Sequence, residues 1–162
     1  CLFTESNLNL PEKPYVVFVI GSTWESRKYP KDKFVKVANE IKKKCIVIWG
    51  NEKEKNCANW ISSQSKYVQV VPKLEIDDLK RLIGNSSLLI GNDTGPTHMS
   101  WALNIPSIVL FGPTPVERMF QTKTNKAIKS SSKINHFKLN KNDFSINEIS
   151  VNEIVKIAKQ LL

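Results

Sequence analysis

Leu88-Leu89-Ile90-Gly91-Asn92-Asp93-Thr94-Gly95-Pro96-Thr97-His98 is an apolar run that breaks into a tight polar segment, and its continuation from Met99 to Leu103 reads as a helix. Strand, loop and helix N-terminus follow one another without a spacer. In an open α/β sheet such a junction lies at the carboxyl edge, where backbone N–H groups and the positive end of the helix dipole can hold a phosphate. Asp93, Thr94, Thr97 and His98 add side-chain hydrogen-bonding groups there, and Gly95 lets a ligand approach the backbone closely. The segment reads as a ligand site. A plainer reading stands beside it: Asp93 or Thr94 only caps the helix, and Gly95-Pro96 only turns the chain.

The same alternation extends in both directions. Tyr15 to Ile20 is a β-branched run, and Phe34, Val35, Val37, Ala38 and Ile41 recur at helical spacing after Pro30. Cys45 to Trp49 is the next strand, closed by Gly50-Asn51, and a charged helix is predicted over roughly Lys53 to Ser62. Val68 to Val71 is a third strand, and Ile76, Leu79, Leu82 and Ile83 give the following helix its apolar stripe. After the helix at Thr97 to Leu103, Ser107 to Phe111 forms a fifth strand running into Gly112-Pro113-Thr114-Pro115. Lys123 to Ser150 is polar, with only a short strand predicted near Ala127-Ile128, and Val151 to Leu162 closes the chain as a helix. Continuous apolar strands separated by helices imply a parallel sheet covered on both faces, a Rossmann-like α/β sandwich.

Parallel strands deliver all their carboxyl-end loops to one edge, so Gly21–Tyr29, Gly50–Glu54 and Gly91–His98 are expected to face a common crevice. The first loop, Gly21-Ser22-Thr23-Trp24-Glu25-Ser26-Arg27-Lys28-Tyr29-Pro30, combines small hydroxyl residues with two adjacent cations, which suits a diphosphate. Its bland alternative is a surface loop with two incidental bases. Glu52 stands just past a strand, where a carboxylate can accept hydrogen bonds from ribose hydroxyls or simply complement a helix dipole. Neither the G-x-G-x-x-G nor the G-x-x-x-x-G-K-[ST] fingerprint occurs, which argues against hydride transfer and P-loop NTPase chemistry. His98 is expected to hydrogen-bond or neutralise charge beside a phosphate rather than to ligate a metal, with a purely structural role as the alternative. The only other histidine is His136, in a loop-like stretch, so no metal site is expected. Trp24, Trp49, Trp60 and Trp101 are read as packing residues.

Composition sets the outer bounds. At 162 residues, 41% hydrophobic and 24% charged, the chain can bury one core and is read as one domain, over 15–162. The start lacks Met and passes through Pro11-Glu12-Lys13-Pro14, so residues 1–14 are read as a linker or tail entering from a domain outside this sequence. No apolar run approaches the ~20 residues of a membrane span. Three cysteines without metal-type spacing fit a reducing cytoplasm. The net charge of +9 is spread over helix faces and a late loop, from Lys36 through Lys42, Lys43, Lys44, Lys53 and Lys55 to Lys123, Lys126, Lys129, Lys133, Lys138 and Lys141. With no nucleic-acid motif among them, these bases read as solvated faces that attract anionic partners such as a nucleoside diphosphate or an acidic membrane surface.

Five segments together resemble a known family. Residues 21–30, Ile48-Trp49-Gly50-Asn51-Glu52, Val71-Pro72-Lys73-Leu74, Gly91 to His98 and Phe111-Gly112-Pro113-Thr114 are similar, in order, to the donor half of ADP-heptose:lipopolysaccharide heptosyltransferases, glycosyltransferase family 9. The Asp-Thr-Gly-x-x-His element followed by Gly-Pro-Thr is the most specific part. The likeness is closer to the heptosyltransferase I branch, which adds the first heptose to Kdo, than to heptosyltransferase II.

That resemblance implies the C-terminal half of a GT-B glycosyltransferase, holding ADP-heptose, with inversion at the anomeric carbon. It implies that Ser22 and Thr23 contact the diphosphate and that Arg27, where the family usually has Lys, or its neighbour Lys28 neutralises the leaving group. By the same carry-over Glu52 holds the ribose, Leu74 lies at the adenine pocket, and Asp93, Thr94, Gly95 and His98 surround the heptose and phosphates. The general base and the Kdo-lipid A or inner-core acceptor belong to an N-terminal domain outside this sequence, so this chain alone is expected to bind donor without transferring heptose. No cofactor, metal or nucleic acid is implied, and the enzyme is expected in the cytoplasm at the inner-membrane surface. The alternatives are a GT-B donor domain for another sugar nucleotide and a non-catalytic nucleotide-binding module.

Overall fold

Tyr15–Val19 (β1) is buried along its whole length, at most 3% exposed at any residue. A strand so covered must have elements packed on both of its faces. The computed structural model, which describes residues 8–113, 116, 121–130 and 140–162, supplies them. After β1 come Lys31–Ile41 (α1), Lys44–Ile48 (β2), Glu52–Gln64 (α2), Val68–Val70 (β3), Ile76–Gly84 (α3), Leu88–Asn92 (β4), Gly95–Ala102 (α4), Ser107–Phe111 (β5), Asn125–Lys129 (β6) and Val151–Leu161 (α5). The sheet has six strands in the order β3-β2-β1-β4-β5-β6, and every neighbouring pair is parallel. This is the Rossmann-like α/β sandwich expected from the sequence.

The period-two alternation of each strand divides the core. Val16, Phe18, Cys45, Val47, Leu88 and Ile90 point to the side of α1, α2 and α5, where Phe34, Val37, Ala38, Ile61, Ile154 and Ala158 meet them. Tyr15, Val17, Val19, Ile46, Ile48 and Leu89 face the other way, onto Leu82 and Ile83 of α3. In α1 the buried residues are Phe34, Val37, Ala38 and Ile41, the i, i+3, i+4, i+7 stripe that made the helix legible. Phe34, Val37 and Ile41, so buried, each contribute about 1.5–3 kcal/mol, and Ala38 about 0.8. The helix ends at Lys42, left-handed at φ 57°, whose N–H returns to the Ala38 carbonyl.

Boundaries moved where local chemistry outweighed periodicity. The helix predicted from Thr97 begins at Gly95, because Pro96 falls in its first turn, where a missing N–H costs nothing. The strand predicted to end at Ile90 continues through Gly91 and Asn92, which pair with Val109 and Leu110 of β5. Near Ala127-Ile128 the strand is real and spans five residues, β6, at the sheet edge. Of the lead-in read as a linker, residues 1–7 lie outside the described residues, while Leu8 and Leu10 pack against the α3 side of the core. Thr114 and Pro115 of the Gly-Pro-Thr-Pro turn, His136, Lys133, Lys138 and Cys1 also lie outside them. Among the described residues no helix is long and apolar enough to cross a membrane.

Gly91 is the tightest point of the sheet. A Cβ there would stand 2.5 Å from the Val19 Cβ and 3.0 Å from both the Val19 carbonyl oxygen and the Thr97 hydroxyl. Two of these obstacles belong to a central strand that has no room to retreat. Gly91→Ala is therefore expected to destabilise the chain by about 2–3 kcal/mol through overpacking. A denaturant titration checks this: the midpoint should fall with the slope unchanged.

Candidate functional site

The order of the strands reverses at β1, since β2 and β3 lie to one side of it and β4 to β6 to the other. The chain leaving β1 and the chain leaving β4 diverge there and open a crevice at the carboxyl edge. A cavity of about 370 Å3 occupies it. Its apolar lining comes from Val19, Ile48, Trp49, Leu74 and Leu79, and its polar lining from Ser22, Thr23, Asn51, Glu54, Lys73 and Thr94. All three loops expected to converge do contribute to the wall, and the Lys73-Leu74 turn after β3 joins them.

At the β4 loop the N-terminus of α4 meets this cavity. Thr94 is the N-cap residue, yet its side chain makes no capping hydrogen bond. Its hydroxyl oxygen is buried and has no hydrogen-bond partner among the described residues. A buried hydroxyl left unsatisfied costs about 1–3 kcal/mol, a cost that a water, an ion or a ligand entering the cavity would remove. Thr94 thus caps the helix by its position and not by a side-chain hydrogen bond. Gly95 opens the helix, and a Cβ built on it meets nothing within 4 Å, so its backbone faces open space. Helix geometry leaves the Gly95 and Thr97 amides without intrahelical partners, and Pro96 has no N–H.

Glu54 is the carboxylate that the fold places in the wall, rather than Glu52. Glu52 is exposed at the first position of α2, outside the cavity lining. The difference has a local cause. Asn51 caps α2 by accepting from the Glu54 N–H at 2.9 Å, and the Glu54 carboxylate swings back to accept from the Gly50 N–H at 2.7 Å. This is a variant of the capping box, Asn51-x-x-Glu54, closed on the N–H before the cap residue rather than on the cap's own, and it turns Glu54 toward Gly21 across the crevice. The spacing was present in the sequence and would have identified Glu54. Trp49, read there as packing alone, also lines the cavity, its indole N–H donated to the Val71 carbonyl at 2.7 Å.

The cations of the first loop stand outside the cavity lining. The Arg27 guanidinium lies 4.0 Å from the centre of the Trp24 ring, and Lys141 approaches the same ring at 4.9 Å. The Lys28 ammonium is 2.8 Å from the Glu25 carboxylate, and Lys53 from the start of α2 reaches the same oxygen at 2.8 Å. Lys28 and then Lys53, each hydrogen-bonded to it, hold the Glu25 carboxyl below its usual range. Glu25 is thus a counter-charge shared by two lysines of different loops. At 58% side-chain exposure it makes a solvent-screened pair that a competing anion can replace. Lys53 and Lys73 are cations near the crevice to which the sequence assigned no role.

Asp93 and His98 bind each other, the imidazole Nε2 lying 2.7 Å from Asp93 Oδ1. The ring also stacks on Trp101 at 4.5 Å, so both are oriented before any ligand arrives. Among the described residues no cluster of His, Cys, Asp and Glu could hold a metal ion. Of the residues singled out from the sequence, Ser22, Thr23, Leu74 and Thr94 line the cavity. Asp93, Gly95 and His98 flank its wall at the start of α4, and Arg27 and Lys28 sit on the loop beyond Thr23.

Comparison with known proteins agrees with this geometry. Residues 3–147 match the model of the family described as glycosyltransferase family 9 (heptosyltransferase). Lipopolysaccharide heptosyltransferase 1 of Campylobacter coli is 35% identical over 171 residues, an alignment that takes in 99% of this chain and 50% of that protein. The enzyme of the same name from Escherichia coli K12 is 27% identical over 67% of this chain and 35% of its own length. In structure, the chain is similar to E. coli heptosyltransferase WaaC with ADP-2-deoxy-2-fluoro heptose, at a TM-score of 0.77 and 19% identity, covering 95% of this chain and 46% of that one. A family 9 glycosyltransferase from Veillonella parvula shares the fold at a TM-score of 0.75 and 22% identity, over 91% and 45% of the two chains. The chain spans about half the length of these relatives. The sequence of loops, the crevice at the strand reversal and the extent of these matches lead to one conclusion: this chain belongs to glycosyltransferase family 9, the heptosyltransferase family.

Proposed function

We propose that this chain is the sugar-nucleotide half of an enzyme that transfers heptose from an ADP-linked donor to the Kdo-bearing inner core of lipopolysaccharide. The observation that carries the reading is the Thr94 hydroxyl, buried and without a partner at an α4 N-terminus that opens into the cavity. An anionic diphosphate would supply the missing partner and would also satisfy the first-turn amides. Ser22 and Thr23 would hold it from the opposite loop. The apolar lining, Ile48, Trp49, Leu74 and Leu79, suits a nucleobase, and Glu54 or its neighbour Glu52 would accept from the ribose hydroxyls.

The chemistry follows from the leaving group. Breaking the bond between heptose and diphosphate builds negative charge on the departing oxygen, which preorganised amides and cations stabilise. Lys28 and Lys53, once Glu25 releases them, and Arg27 on the same first loop would converge on that charge. Asp93 and His98, already oriented by each other, would meet the sugar. Deprotonating the acceptor hydroxyl needs a separate general base, which falls to the part of the relatives that this chain does not span. The donor-binding domain is proposed as 15–162 with the preceding residues as its linker, working in the cytoplasm, and the lysine-rich surface would favour contact with the anionic inner membrane.

Three outcomes test the reading. Calorimetric titration of this chain is expected to show ADP binding in preference to UDP, and no heptose transfer to a Kdo-bearing acceptor; preferential UDP binding would point to another sugar nucleotide. Thr94→Val removes only the unpartnered hydroxyl, so the variant should be as stable as wild type or about 0.5–1 kcal/mol more so, while ADP binds about tenfold more weakly. Loss of stability without loss of affinity would return Thr94 to a structural role. Glu25→Gln frees Lys28 and Lys53, and ADP should bind roughly threefold tighter in dilute buffer, a gain that disappears in molar salt.

A further inference from the structure

Asn92, the last residue of β4, is fully buried, and a buried carboxamide must be hydrogen-bonded on both its oxygen and its nitrogen. Its partners all belong to one loop. The Tyr29 N–H donates to Asn92 Oδ1 at 3.0 Å, and Asn92 Nδ2 donates to the Ile20 carbonyl at 2.9 Å and more distantly to the Gly21 carbonyl at 3.4 Å. One side chain therefore grips the loop after β1 at both ends, where it leaves the strand and where it enters α1. The amide is suited to this because it is donor and acceptor at once; an ionised Asp would leave the carbonyl end unpaired, and Leu or Val would leave both. Asn92 also faces the other side of the crevice. Its own carbonyl accepts from the Thr97 hydroxyl at 2.6 Å, in the first turn of α4.

The gripped loop is further braced at its far end. The Tyr29 ring packs edge-on against Phe34 at 5.5 Å, and its phenol donates to the Ile149 carbonyl at 2.7 Å. Between the two grips lie Ser22 and Thr23, which line the cavity, and the cationic Arg27 and Lys28. We propose that Asn92 is a positioning residue for the diphosphate: it touches no substrate, but it fixes the spacing between the Ser22-Thr23 loop and the α4 N-terminus so that both can close on one anion. The inference rests on the donor-site reading above. Its physical content is preorganisation, since a loop already closed at both ends loses little further freedom when it binds.

The test separates the diphosphate from the rest of the nucleotide. ADP and adenosine are titrated into wild type and Asn92→Ala. The variant is expected to lose about tenfold in ADP affinity while adenosine, held by the apolar lining across the crevice, changes less than about twofold. Equal losses for both ligands, or an unchanged ADP affinity in a folded variant, would overturn the positioning role. If wild type itself fails to bind ADP, the donor-site reading falls first. Should Asn92→Ala not fold, the wild-type chain decides by nuclear magnetic resonance: the Asn92 side-chain amide and the Tyr29 backbone amide should shift with ADP and stay in place with adenosine, and the absence of that difference would sink the proposal.

Discussion

Everything at the carboxyl edge depends on how closely β4 lies beside β1. The two strands pair in parallel through Val16 to Val19 and Leu88 to Gly91, and at Gly91 their backbones approach too tightly for any side chain. That approach fixes where the two following loops begin. One departs toward α1 and the other toward α4, so the crevice between them is a consequence of strand order rather than of the loops themselves. The functional residues then sit on short segments whose ends are held by the sheet. In such a design the rigid part is apolar and anonymous, and the few polar groups inherit its precision.

Electrostatics at the site is arranged as a set of competitions. Lys28 and Lys53 share Glu25, Arg27 lies on Trp24, and Asp93 holds His98. The partners of these charged groups are exposed or partly exposed, which is the regime in which ion pairs are weak and exchangeable. The Thr94 hydroxyl differs from them: it is neutral, buried and without a hydrogen-bond partner among the described residues. A ligand that offers negative charge can therefore take over the cations at small cost and also relieve a buried defect at the cavity. The net charge of +9 adds long-range attraction for such a ligand, but it selects nothing by itself.

The fold was legible because its strands are nearly uniform. Five buried residues in a row at β1, β4 and β5 cannot be half-solvated hairpin strands, and the helix stripes between them left little freedom of topology. The site was legible at the level of loops and less so at the level of atoms. Ser22, Thr23, Leu74 and Thr94 reach the cavity wall because backbone position alone puts them there. Glu54 was passed over in favour of Glu52 because the choice depends on which carboxylate closes the capping box, a matter of helix phase and not of distance from the strand. Trp49 is both packing residue and wall, a distinction that a residue list cannot make for a side chain at a strand end. Asn92 was part of the opening motif, yet its role is invisible without Tyr29 and Ile20, which lie far away in sequence and adjacent in space.

Selectivity is the last physical question that this arrangement answers in outline. An apolar lining of this kind would contribute affinity to any flat nucleobase, since a hydrophobic wall discriminates poorly between ligands of similar shape. Discrimination must come from polar groups that are fixed before binding, because a mismatched ligand then leaves them desolvated and unpaired. Around this cavity such groups are backbone and side chain together: the first-turn amides of α4, the Thr94 hydroxyl, and the Glu54 carboxylate, which the Gly50 N–H already holds in place. They lie on two different segments, the one after β4 and the one after β2, and only the sheet relates them. A change that loosened the grip on one loop would therefore weaken discrimination before it weakened the fold. In this chain the polar groups of the cavity stand on segments outside the strands, while the strands themselves reach the wall through the apolar Val19 and Ile48.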